Sequence, residues 1–134
     1  MANGTIAFDT LQTSGQITGT AKSVDTDFVV NGSAKLFLEF DHTTNTLNNS
    51  LNVSSVTDSS TGKFIPVFTN SFSSATNYSC VGMCRSYNMI VDTDGNSKVA
   101  GSVKLRTWYA SDTSGARTNI DVFHNSVICN GDLA

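Results

Sequence analysis

Charge is scarce in this chain. Only 14% of its 134 residues are Asp, Glu, Lys or Arg, against about 25% in an average soluble protein. The eight Lys and Arg residues form no cluster and the formal net charge is −3, so a phosphate-tracking surface and a nucleic-acid partner are excluded. No apolar run approaches the roughly 20 residues of a spanning helix, so no membrane insertion is expected. The opening Met1-Ala-Asn-Gly-Thr-Ile6 has no basic stretch followed by an apolar one, so it is not a secretory signal. Amphipathic helical stripes with a cap before them are missing too. Proline occurs once, at Pro66.

Cysteine is sparse and odd in number: Cys80, Cys84 and Cys129. An odd count without a signal peptide argues against a disulfide framework. Cys80 and Cys84 share one face of an extended strand, about 13 Å apart, too far to bridge. Buried free thiols are the expectation. The spacing does not suit zinc and the two histidines are scattered, so no metal and no cofactor is assigned.

What fills the chain instead is Ser, Thr, Asn and Gly between short apolar alternations, with eight Phe. That pattern predicts an all-β protein, an antiparallel β-sandwich (jelly-roll-like) of seven to eight strands. Ser33–Phe40 is the clearest strand, with Leu36, Leu38 and Phe40 on one face and Phe37 on the other. Asp41–Asn49 reads as a loop. A strand over Leu51–Val56 breaks parity near its end, as at a bulge or an early stop. Asp58–Gly62 reads as a hairpin turn with Gly62 supplying positive φ. Lys63–Phe68 returns with Phe64 and Phe68 on one side and Ile65 and Val67 on the other. Pro66 has no N–H, which places this strand at an edge or a bulge. Apolar residues on both faces then suggest cover by a neighbouring subunit, making Phe37, Phe64, Ile65, Val67 and Phe68 candidate subunit contacts. Further strands are expected at Tyr78–Val91, Lys98–Tyr109, Thr118–His124 and Ser126–Asn130, with a short one at Phe28–Asn31.

Residues 1–22 stand apart from the domain at 23–134. Ile6, Phe8, Leu11 and Ile17 are isolated apolar anchors in a polar background. Ile6, Phe8, Leu11 and Ile17 read equally as part of a loose tail or as the anchors of an extended N-terminal arm that packs on another subunit or a larger assembly.

Candidate chemistry is thin. Asp92-Thr-Asp-Gly-Asn96 lacks the ligand spacing of a calcium loop and reads as a hairpin turn. His42 and His124 belong to no nucleophile motif and read as packed histidines. No catalytic residue is assigned. Trp108 and Tyr109 point to opposite faces of one strand, so one of them is available to stack on a sugar ring or anchor a protein.

Gly32–Phe40 (G-S-A-K-L-F-L-E-F), Ser50–Thr69 (S-L-N-V-S-S-V-T-D-S-S-T-G-K-F-I-P-V-F-T), Thr76-Asn77-Tyr78 and Val127–Asp132 together resemble a small β-module found in tail fibres and other virion surface proteins of marine tailed bacteriophages. The chain departs from it at Leu36-Phe37, where Ala-Trp is usual, and at Pro66. The resemblance implies a structural component of a phage virion, a tail-fibre or spike-type module for attachment to the host surface. The alternative is a capsid-decorating or head-fibre protein docked by its N-terminal arm, and a small carbohydrate-active enzyme is the outsider. It further implies a homo-oligomer, with three copies the usual number, partnered by virion proteins and by host surface polysaccharide or protein. The expected location is the virion, after synthesis in the host cytoplasm. The opening Met and the missing fibre shaft suggest a free-standing product.

One outcome follows from the missing nucleophile–base and metal-ligand patterns. Purified protein should release no sugar from host polysaccharide, as followed by reducing ends. Turnover abolished by one Asp or Glu substitution would contradict this.

Overall fold

Strict alternation of buried and exposed residues forces strands, because successive side chains on an extended backbone point to opposite sides. The computed structural model describes residues 10–13, 22–25, 32–92, 97–111 and 114–134, and among these the regular elements are strands. The chain divides into two units, Met1–Ser33 and Ala34–Ala134.

In the first unit β1 (Thr10–Thr13) pairs with β2 (Lys22–Asp25) as an antiparallel ladder, Thr10 opposite Asp25 and Thr13 opposite Lys22. A domain boundary at residue 22 therefore falls inside a strand, and the division lies at Ser33 instead. Leu11 lies on β1, whereas Ile6, Phe8, Ile17 and the Phe28–Asn31 strand lie outside the described residues.

The second unit is an antiparallel two-sheet sandwich. Its strands are β3 (Leu36–Asp41), β4 (Thr46–Leu51), β5 (Val53–Ser60), β6 (Lys63–Phe68), β7 (Tyr78–Cys84), β8 (Asn88–Val91), β9 (Lys98–Val99), β10 (Ser102–Val103), β11 (Leu105–Ala110), β12 (Arg117–Asn119) and β13 (Asn125–Gly131). One sheet runs β4-β3-β13-β7. The other runs β12-β11-β6-β10-β9, with β5 on β6 and β8 on β11. Leu36, Leu38, Phe40, Val127 and Cys129 from the first sheet meet Phe64, Phe68, Val103 and Leu105 from the second in one core. Each such side chain contributes roughly 1.5–3 kcal/mol through burial. Phe40 and Phe64 touch across the layers with ring centroids 5.0 Å apart. Phe68, Phe72 and Tyr78 form a second aromatic group, with Phe72 stacked on Tyr78 at 4.3 Å. The Tyr78 hydroxyl donates to the carbonyls of Val99 and Ser102, and burial pushes its pKa up to about 12.

Two sharp corners move the chain between sheets. Asn52 sits between β4 and β5 at φ 59°, a conformation Asn tolerates better than most residues. Its side chain clamps Asn70, donating to the Asn70 carbonyl at 3.0 Å and accepting its N–H at 2.7 Å. This corner is the parity break in Leu51–Val56; the expected loop at Asp41–Asn49 is shorter, since Asp41 ends β3 and Thr46–Asn49 begin β4. Ser86, at φ 67°, makes the second corner between β7 and β8, so Tyr78–Val91 is two strands in different sheets. Gly62 holds the β5–β6 turn at φ 69°. A Cβ there would lie 2.5 Å from the Thr107 carbonyl oxygen, so glycine is required for space as well as for φ.

Pro66 is not at an edge. β6 has β5 on one side and β10 and β11 on the other. The Phe68 N–H donates to Gly101 on the β10 side; by the two-residue repeat the missing N–H of Pro66 falls on that same side. There the partner chain leaves the ladder, because the Lys104 N–H turns to the Ser97 carbonyl. Proline costs no ladder bond at such a break. The same break, with the turn at Ala100–Gly101, divides the expected Lys98–Tyr109 strand into β9, β10 and β11. Thr118–His124 shortens to β12, since Ile120–His124 runs outside the ladders. Of Asp92–Asn96 only Asp92 is described. It is buried, with Arg106 at 2.6 Å and Lys63 at 3.2 Å. Arg106 and Lys63 face each other across β11 and β6, and the carboxylate between them cancels a like-charge repulsion.

Cys80 and Cys129 form a disulfide, contrary to the free-thiol expectation. They stand directly opposite on β7 and β13, with Cα atoms 4.2 Å apart, a separation typical of a non-hydrogen-bonded pair. Spacing along one strand said nothing about this, because the partner comes from another strand 49 residues away. Cys84 remains free and half-buried, and burial pushes its thiol pKa up.

Denatured, unreduced protein should therefore titrate one thiol per chain by Ellman's reagent. Reduction should lower unfolding stability by about 4 kcal/mol, the loop-entropy expectation for a closure of this length. Three titratable thiols would contradict the bridge.

Candidate functional site

The four-stranded sheet buries one face and leaves the other bare. On the bare face Leu51 of β4 stands opposite Phe37 of β3, Phe37 opposite Ile128 of β13, and Ile128 opposite Val81 of β7. These four residues make one unbroken row across all four strands. Val81 is 60% exposed, Ile128 51% and Leu51 48%, with Phe37 half-buried among them. Met83, the next outward residue of β7, is 72% exposed. Val81, Met83, Ser126 and Ile128 line a shallow groove of about 170 Å³. Polar groups border the row: Lys35 and Glu39 lie two residues either side of Phe37, and the Ser126 hydroxyl donates to Glu39 at 2.8 Å. Apolar patches with a polar border are the pattern found at protein–protein interfaces generally.

Of the five candidate subunit contacts, Phe37 lies on this bare face. Phe64 and Phe68 do not: they are 0% and 6% exposed in the core and offer nothing to a neighbour. Ile65 and Val67 are half-buried on the opposite side of β6. β13 carries apolar residues on both faces with one face open, Val127 and Cys129 going in and Ile128 going out. Leu51, Val81, Met83 and Ile128 escaped the sequence reading. The usable signal was the unbroken run Val127-Ile128-Cys129, which carries the same two-faced pattern that was noticed at Lys63–Phe68.

A second surface lies along the turn after β7 and the Ile120–His124 segment. Arg85, Tyr87, Asp121 and Phe123 line a recess of about 350 Å³. The Arg85 guanidinium lies 4.7 Å over the Phe123 ring, and the His124 ring is 4.4 Å from it. Tyr87 is 40% exposed and pairs with Tyr109, centroids 5.8 Å apart. Of the two expected ligand aromatics, Tyr109 is therefore the open one and reaches this rim. Trp108 is half-buried, with Arg117 4.7 Å over its ring.

Side-chain hydrogen bonds fix the segment that forms the recess. The Thr107 hydroxyl donates to the Ile120 carbonyl at 2.6 Å. The amide of Asn125, which is fully buried, donates to the carbonyls of Phe40 and Val122. The Gly62 N–H donates to Asp121 Oδ1 at 2.6 Å. Beneath Asp121 lies His42, its side chain fully buried, with Nδ1 3.4 Å from Asp121 and Nε2 3.1 Å from Asp58. His42 packs against the rings of Phe40 and Phe64. It is a packed histidine, as expected. His124 is exposed and lies off the strands. Among the described residues no three His, Cys, Asp or Glu side chains converge as a metal site.

Comparison with known proteins finds no matching family model, no matching curated protein and no matching solved structure.

The two sides of β13 should answer differently to charge. Ile128→Asp, on the bare face, should change monomer stability by no more than about 0.5 kcal/mol. Val127→Asp, one residue earlier and 1% exposed, should cost at least about 4 kcal/mol by burying a carboxylate. Equal effects in urea titrations would mean that the register is wrong.

Proposed function

We propose that this chain is a structural module of a phage virion, of the tail-fibre or spike type, that assembles with copies of itself through the bare face of its four-stranded sheet. The observation that supports the reading best is the in-register apolar row Leu51–Phe37–Ile128–Val81. An isolated sandwich gains nothing from four aligned apolar side chains in water. A subunit that stacks on others gains roughly 1.5–3 kcal/mol for each one fully buried, enough over a few copies to offset the entropy of association. The resemblance of Gly32–Phe40, Ser50–Thr69, Thr76–Tyr78 and Val127–Asp132 to the phage module supplies the setting. It also supplies the copy number of three and the virion proteins and host surface as partners. The recess framed by Tyr87 and Phe123 leaves a second, polar surface for contact outside the assembly.

Quantitative mass spectrometry and cryo-electron microscopy of purified particles test this. Many copies per particle are expected, with the two-sheet domain resolved on the tail. Domains on the shell would replace the fibre reading with the capsid-decorating one. Protein left wholly in the lysate would overturn the virion role.

A further inference from the structure

We infer that the recess lined by Arg85, Tyr87, Asp121 and Phe123 binds a neutral pyranose ring of a glycan. This names the partner chemistry of the attachment role proposed above and takes its setting from that reading. The recess, of about 350 Å³, lies within the range of small-ligand pockets, about 300–1,000 Å³. Its rim carries part-exposed aromatic side chains, Tyr87 at 40% and Phe123 at 39%, with Tyr109 at 37% beside Tyr87. The two tyrosines offer an apolar ring with a polar edge, which suits the C–H face of a sugar, and Phe123 adds apolar surface. Hydroxyls at the edge of that sugar need an acceptor and a donor, and the recess has both. Asp121 accepts, and its position is set from below by the Gly62 N–H and by His42. Arg85 donates through a planar fork, held against Phe123 at 4.7 Å. One cation and one anion cancel, so the lining favours a neutral ligand over an acidic one. The Thr107, Asn125 and Gly62 bonds that fix Ile120–Asn125 pre-form this site before a ligand arrives, which lowers the ordering cost of binding.

The test uses the purified full chain with methyl glycosides and trisaccharides of glucose, galactose and mannose, and methyl glucuronide as charged control. Saturation-transfer NMR and tyrosine fluorescence report binding. At least one neutral saccharide should bind in the millimolar range or tighter. Tyr87→Ala and Phe123→Ala should each weaken it about tenfold without changing the melting temperature, and glucuronide should bind more weakly. Arg85→Gln, on an exposed turn, repeats the test if an aromatic variant melts early. No saturation transfer to any neutral sugar, or binding that survives Tyr87→Ala and Arg85→Gln, would overturn the inference. Particles that carry the protein while the sugars fail would sink the recess and spare the virion reading. Sugar binding by a protein absent from particles would do the reverse.

Discussion

Everything in the sandwich depends on the register of β13, which lies between β3 and β7. Val127 faces Leu38 and Gly82, and Ile128 faces Phe37 and Val81. A slip of one residue would send Val127 and Cys129 into water and drive Ile128 into the core, because side chains alternate with a period of two. The disulfide between Cys80 and Cys129 can close only when those two residues stand opposite each other. It therefore fixes covalently the same register that the core selects by packing. Core and bare row are two readings of one alignment, and neither can be lost without the other.

The second sheet follows from how the chain leaves the first. Asn52 and Ser86 take the left-handed backbone that lets β4 lead to β5 and β7 to β8 across the layers. Lys104 leaves the ladder beside Pro66, so β6 stays central although it contains a proline. The network of Gly62, Thr107, Ile120, Asp121 and His42 then fixes an irregular segment against the end of β6. That is why an exposed recess forms where the strands have ended.

Local physics was legible in the sequence and long-range pairing was not. Leu36, Leu38 and Phe40 announced their face through simple alternation, and Asp58–Gly62 announced its turn through glycine chemistry. The all-β class followed from the same signals. The disulfide could not be read, because no local rule tells which strand lies beside β7. The central place of β6 was hidden because proline normally marks an edge, and nothing near Pro66 reveals that its neighbour breaks off at Lys104. Phe37 was recognised as outward, but the row it belongs to is assembled from four strands that are distant in sequence. Asp121, Tyr87 and Phe123 meet for the same reason, through tertiary contacts that no spacing encodes.

The central claim is that the bare face of the four-stranded sheet is an assembly surface. Light scattering of the purified chain across a hundredfold range of concentration, about as wide as the method allows, tests it most directly. The account predicts a multiple of the 14.2 kDa chain mass, with three copies the number implied by the phage resemblance, and a fall to the single-chain mass in Ile128→Asp. A wild-type mass of 14.2 kDa at every concentration, or an assembly that Ile128→Asp leaves intact, would contradict it.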